Sequence, residues 1–201
     1  MPVSVEGENV KKFKIALIGS HCSSKTTLAC YLTQKLKSNG YPDTMLREEI
    51  ARRCPFPINE QGGFQANLWI TLQTILDEAE LKDKCTILVC DRSVFDQIVY
   101  SADAWTYGRM RQNEFVFIRR TVEEWVTIDP YDLVFLLQPQ GLIADSVRPD
   151  NKEWQEKIWN GFLFWCNKML QDKYVLVGGN LRTRKDIIFH KTMEMISHAG
   201  N

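Results

Sequence analysis

Four short apolar runs constrain this chain more than any other feature: FKIALI at 13–18, CTILVC at 85–90, LVFLLQ at 133–138 and YVLVGG at 174–179. None alternates apolar with polar residues, so each reads as a strand buried on both faces. The stretches between them carry apolar residues at helical spacing. Leu28, Leu32 and Leu36 recur every four residues and predict a helix over 25–38, stopped by Asn39-Gly40. Leu68, Trp69, Leu72, Ile75, Leu76 and Ala79 trace a second stripe over 66–81, and further helices are expected at 94–105, 113–127, 152–170 and 183–197. A weaker extended piece at 43–47 precedes REEIARR, and CPFPINEQGG, with two prolines and two glycines, reads as an irregular connection. Such alternation predicts an α/β fold: a parallel sheet with crossover helices on both faces and ligands beyond the carboxyl ends of its strands.

With 201 residues, 44% of them hydrophobic, the chain suits one core rather than two. We expect a flexible leader at 1–11 and a single domain at 12–201. The 25 acidic and 25 basic residues cancel, which argues against the basic field that nucleic acids and anionic membranes require. The six cysteines form no CxxC pair and several sit in apolar runs, as in a reducing compartment. No secretory signal and no apolar run of 18 residues is present, so a soluble, cytoplasmic protein is expected.

The first apolar run ends in GSHCSSKTTL, with the spacing of a phosphate-binding loop between a strand and a helix. In such a loop, consecutive backbone amides and the positive helix end converge on the anion. The residues expected to cradle a nucleotide are Gly19, Ser20, His21, Cys22, Ser23, Ser24, Lys25, Thr26 and Thr27. Lys25 would bridge the outer phosphates, Thr26 would ligate Mg2+ and Thr27 would contact an inner phosphate. Gly19 lets the chain turn off the strand. Ser24 stands where the motif has a glycine, at a cost of about 1 kcal/mol if the backbone there leaves the usual φ range. The His21 side chain is expected to face solvent or a neighbouring loop.

Asp91 ends CTILVC, where a carboxylate can organise magnesium beside the loop, although an aspartate before a helix also serves as an N-cap. Glu49 and Arg52 lie three apart in REEIARR, a carboxylate to accept or orient an acceptor hydroxyl and a cation to steady the transferred group; an ordinary surface ion pair has the same spacing. Trp69 and Gln73, one helical turn apart, suit a flat heterocycle, with Phe64 as a further wall, while Trp69 also fits a core position. Arg109, Arg111, Arg119 and Arg120 are expected to decorate helix surfaces. His190 and His198 have no metal-ligand partners at useful spacing. Trp105, Trp125, Trp154, Trp159 and Trp165 fit core or interface stripes, and their number suggests that some are buried against a partner subunit, as in a homodimer.

Taken in order, GSHCSSKTTLA, the E-x-A-R of Glu49, Ala51 and Arg52, then Gln73, then DRSVFDQIVY resemble the P-loop ATPases related to nicotinamide riboside kinase and, more distantly, deoxynucleoside and thymidylate kinases. The resemblance implies a three-layer nucleoside-kinase-like fold with sheet order 2-3-1-4-5, ATP and Mg2+ as cofactors, and transfer of the γ-phosphoryl group. Carried over by position, the family's loop residues fall on Gly19, Lys25 and Thr26, its acidic residue after the second strand on Glu49, and its Asp-Arg pair on Asp91 and Arg92. A lid is implied near 139–152, where Arg148 would stabilise the phosphates; an arginine facing solvent beside Asp145 is the alternative. This chain departs from the pattern in Ser24 and in having one lid arginine rather than a cluster.

The expected function is that of an ATP-dependent phosphotransferase acting on a small nucleoside or nucleotide-like acceptor, with Arg92 among the residues facing that acceptor. No guanine-reading NKxD motif is evident, which favours adenine. A regulatory ATPase with slow hydrolysis is the alternative, and a decayed loop holding no nucleotide is the third reading.

Overall fold

The computed structural model describes residues 11–140, 151–171 and 173–199. Within them the chain runs β1 (Phe13–Ile18), α1 (Lys25–Lys37), β2 (Met45–Arg47), α2 (Phe64–Leu81), β3 (Ile87–Asp91), α3 (Asp96–Thr106), α4 (Gln112–Ile128), β4 (Leu133–Leu137), α5 (Lys152–Met169), β5 (Tyr174–Val177) and α6 (Leu181–Ala199). Single 3-10 turns at Ala51–Arg53 and Asn59–Gln61 interrupt the connection between β2 and α2. The five strands form one parallel sheet in the order β2-β3-β1-β4-β5.

The uniformly apolar strands fill both faces, because successive side chains of a strand point to opposite sides. Ile15, Leu17, Val89, Phe135 and Leu137 pack with Leu28 and Leu32 of α1 and Ile188 of α6. Ala16, Ile18, Leu88, Cys90, Val134 and Leu136 pack with Ile98 of α3, Ile118 of α4 and Phe162 of α5. The result is three layers, helix, sheet and helix. Truncating a fully buried member such as Phe135 to alanine would cost about 3–5 kcal/mol, since the surrounding layers can collapse only partly.

Two strands differ from the sequence expectation. YVLVGG is an edge strand rather than a buried one: Leu176 is 48% exposed, and Gly178 and Gly179 lie beyond its end. CTILVC begins pairing only at Ile87 and runs through Asp91, which lies opposite Leu17 of β1. This places the Asp91 side chain at the carboxyl edge of the sheet, beside the turn that follows β1. At that turn Gly19 has φ 138°, and a Cβ there would stand 2.6 Å from the Leu137 carbonyl oxygen. Only glycine fits so close to β4.

No helix among the described residues is long and apolar enough to cross a membrane. The leader at 1–10 and most of the expected lid, including Asp145 and Arg148, lie outside the described residues.

Candidate active site

The loop from Gly19 to Ser24 leads from β1 into α1, whose first N–H groups lack intrahelical acceptors as in any helix. Ser24 is the N-cap of α1 and lies in the left-handed region, at φ 65° and ψ 24°. This is the conformation for which the motif uses glycine, and a side chain there costs about 1 kcal/mol or more. The Ser24 hydroxyl does not cap the helix. It donates to Gln140 Oε1 at 2.9 Å, tying the loop to the segment after β4.

Lys25, buried on the loop, turns its ammonium back onto the Gly19 and Ser20 carbonyls at 2.9 and 2.6 Å and onto Ser23 Oγ at 3.0 Å. Burial, and then the charge of Arg92, lowers this lysine to about 7, against the opposing pull of Asp96, Glu49 and Asp91. An incoming anion would restore its charge. The Ser20 hydroxyl is buried in the same loop without a partner. His21 corrects the expectation that its ring faces solvent. It is 5% exposed and stacks on Trp154 of α5, ring centroids 5.1 Å apart, because α5 passes over the loop and Gln155 binds the His21 carbonyl.

Thr26 and Asp91, distant in sequence, meet here: Thr26 Oγ1 donates to Asp91 Oδ2 at 2.6 Å. Asp91 does not cap α3, which starts at Asp96; that turn is closed instead by Asp96, whose carboxylate accepts from Ser93 N and Oγ, both at 2.9 Å. Asp91 Oδ1 is buried and has no hydrogen-bond partner. A hydroxyl, a carboxylate and one unsatisfied carboxylate oxygen are hard donors of the kind magnesium takes, with phosphates and water completing its shell. The residues present therefore fit the ion. Among the described residues no cluster of three or more His, Cys, Asp or Glu forms a metal cage, as a site completed by phosphates does not require one.

Beyond Asp91 the chain turns at Arg92, with φ 72°, and sends its guanidinium to Glu49. Arg92 also reaches Tyr100 Oη at 3.2 Å and Asp96 Oδ1 at 3.4 Å. Glu49 accepts a second bond, from Arg52 Nε at 2.9 Å, across a 3-10 turn rather than along an α-helix. Burial works against ionisation of Glu49, but Arg92 and then Lys25 outweigh it and hold the carboxyl at about 2. A carboxylate so stabilised is a weak base and a good orienting group.

Next to Arg92 a narrow cleft with room for about 30 Å³, little more than one water, is lined by Asn67 and Ile70 of α2, by Arg92, and by Gln97 and Tyr100 of α3. Gln97 Oε1 is buried there without a partner. The lining does not include Phe64, Trp69 or Gln73. The inward face of α2 carries Ala66, Asn67, Ile70, Thr71, Thr74 and Glu78, Trp69 and Gln73 stand half-buried at its edge, and Phe64 packs on the core. A more spacious groove lies elsewhere, between α2 and α4, walled by Ile75, Val116, Phe117 and Ile128, with Arg120 and Glu124 also on its lining. Its surface is mainly apolar and carries none of the chemistry described above.

Two parts of the site have no signal in the sequence. Arg184 of α6, 2% exposed, donates to the Ser23, Gln138 and Gly179 carbonyls and so fastens the loop to the ends of β4 and β5. Arg109, expected on a helix surface, instead pairs with Asp103 and donates to the Gly62 carbonyl at 2.6 Å, joining the turn after α3 to the start of α2.

The family described as an AAA domain (AAA_28) matches residues 14–184, and the chain belongs to it, a P-loop protein. Among solved structures the fold is similar to that of a NadR protein in complex with NAD and AMP-PNP, with TM-score 0.71 and 15% identity over 92% of this chain and 50% of that one. It is also similar to a deoxyadenosine kinase from M. mycoides with bound products, with TM-score 0.68 and 14% identity over 90% of this chain and 100% of that one. A NadR protein in complex with NR gives 0.68 and 17%, over 92% and 52%. The chain thus spans about half the length of the NadR proteins it matches. No curated protein matches the sequence. The α/β architecture with order 2-3-1-4-5 is that of P-loop kinases, as expected.

Proposed function

We propose that the protein is an ATP-dependent, magnesium-requiring phosphotransferase acting on a small nucleoside or nucleotide-like acceptor. The observation that carries this reading is the junction of Thr26 with Asp91 at the start of α1, with one Asp91 oxygen left unsatisfied. The kinases of similar fold support it by analogy.

The loop amides and Lys25 receive the triphosphate, Lys25 exchanging the Gly19 and Ser20 carbonyls for phosphate oxygens. Thr26 and Asp91 hold magnesium, which when bound neutralises charge on the phosphates. Glu49, held ionised by Arg92 and Arg52, orients the acceptor hydroxyl; in a loose transition state the O–H bond breaks late, and the proton passes to the transferred phosphoryl group and then to water. Arg92 faces both the Glu49 carboxylate and the cleft, and steadies the transferred group. The acceptor binds at the cleft beside Tyr100 and Gln97, which must widen to admit it. By the family resemblance, Arg148 would stabilise charge on the phosphates. For a homodimer, the apolar groove between α2 and α4 is the surface on offer.

Screening nucleosides and nucleoside monophosphates for ADP release tests the proposal. One class should give turnover that Lys25→Ala abolishes while the fold persists. Turnover unchanged by Lys25→Ala would contradict it. A nucleotide switch with slow hydrolysis is the second reading, favoured by the Ser24 bond to Gln140; it predicts ATP binding with no acceptor-stimulated ADP release.

A further inference from the structure

We propose that Arg47 is a positioning residue for this site: its buried guanidinium holds the main chain of Glu48, Asp91 and Arg92 in one frame, fixing the metal-facing carboxylate relative to the acceptor-facing ion pair. The inference rests on the phosphotransfer reading above.

Arg47 is the last residue of β2, opposite Cys90 of β3, and is 2% exposed. Pairing between the two strands stops there, so the carbonyls that follow on β3 meet a side chain in place of a strand. Arg47 Nη2 donates to the Arg92 carbonyl at 2.6 Å and the Asp91 carbonyl at 3.2 Å, while Nη1 donates to the Glu48 carbonyl at 3.1 Å. A planar fork of donors can serve three carbonyls at once, where a lysine ammonium acts as a point.

The fork grips the place where the backbone is least comfortable. Arg92, at φ 72°, is a non-glycine residue in the left-handed region, a conformation that surrounding contacts must hold. That turn sends Asp91 towards Thr26 and Arg92 towards Glu49.

A second anchor holds the far side of the same turn. Tyr131 Oη accepts from Val94 N at 3.0 Å and donates to Glu78 Oε1 at 2.6 Å. Glu78 of α2, fully buried, lies 3.7 Å from Arg47 Nε and also accepts from Trp125 Nε1 at 2.9 Å and Lys14 Nζ at 3.2 Å. The segment from Asp91 to Val94 is therefore clamped from both ends by groups that share one buried carboxylate. Burying such charges costs several kcal/mol each, and apolar replacements of similar shape are often neutral for stability. Fold stability alone does not call for this arrangement; a fixed geometry at the turn does.

The test is ATP affinity by calorimetry, in EDTA and in excess Mg2+, for the unmodified protein, Arg47→Met, Arg47→Lys and Tyr131→Phe, with thermal midpoints in parallel. Binding in EDTA depends on the loop and Lys25 and should stay within about threefold, whereas the Mg2+-dependent gain should fall by about tenfold in Arg47→Met. Arg47→Lys should not restore it. Tyr131→Phe should lose part of it, and carries the test should Arg47→Met not fold. A purely structural role would lower the midpoints and leave the Mg2+ gain intact in the folded variants, and that result would overturn the inference alone. Absence of ATP binding by the unmodified protein would remove the phosphotransfer reading and this inference with it.

Discussion

Arg92 and Glu49 form an ion pair that joins the ends of β3 and β2, each side chain 14% exposed, with Tyr100 and Arg52 on its two flanks. Because Glu49 is held at about 2 rather than 4.5, the stabilisation it provides is present above pH 4.5 and is lost as pH falls from there towards 2. Its size is on the order of 3 kcal/mol. Glu49→Gln should lower stability at pH 7 by about that amount, and the gap from the unmodified protein should narrow below pH 4.5. Urea unfolding at pH 7 and pH 3.5 measures both; equal stability at pH 7 would contradict the pairing.

How much of this was legible in the sequence depended on distance along the chain. β1, β3 and β4 announce themselves because a strand buried on both faces needs an unbroken apolar run, and the loop announces itself because its spacing is local. β2 is three residues long, and Met45–Arg47 carries no period to detect. Arg47, Glu78 and Arg184 were invisible for another reason: most of their partners lie dozens of residues away, and a lone charged residue in a strand or helix reads as surface. On α2 the helix turns Asn67 and Ile70 into the cleft beside Arg92, whereas Trp69 and Gln73, which have the chemistry of a clamp, do not line it.

Lys25 should make ATP binding pH-dependent. In the free protein it titrates near 7, well below its ordinary 10.5, and phosphate needs its cation. Above pH 7 each binding event must take up a proton, so affinity falls as pH rises, by up to about tenfold per pH unit. Calorimetry in excess Mg2+ between pH 7.5 and 9 should show that decline, and Lys25→Arg, charged throughout, should show a flat profile. A flat profile for the unmodified protein would argue against a neutral lysine in the loop.

Ser24 offers a separation of strain from bonding. Ser24→Gly relieves the left-handed backbone but gives up the bond to Gln140 and loosens the unfolded chain, so stability should change by less than about 1 kcal/mol. ATP affinity should rise by up to about fivefold as the backbone opens to phosphate. Ser24→Ala keeps the strain and loses the bond, and should be the less stable of the two by about 1 kcal/mol. Thermal melts and ATP titrations of the pair decide this; the alanine variant outperforming the glycine variant in both would refute it.

Asp91→Asn keeps an oxygen for the Thr26 hydroxyl but removes the charge. Since Asp91 Oδ1 is buried without a partner, the variant should melt no lower than the unmodified protein. Its Mg2+-dependent gain in ATP affinity should fall by about tenfold or more. An undiminished gain would place the metal elsewhere.

The central claim is that the turn after β1 holds a triphosphate, and the thermal midpoint in the presence of ATP and Mg2+ tests it most directly. A ligand that binds only the folded state at a hundredfold excess over its Kd adds about 2.7 kcal/mol, which for a chain of this size raises the midpoint by about 5–10 °C. The account predicts that rise at millimolar ATP-Mg, and its loss in Lys25→Ala. A midpoint that does not move in the unmodified protein, or moves equally in both, would contradict it.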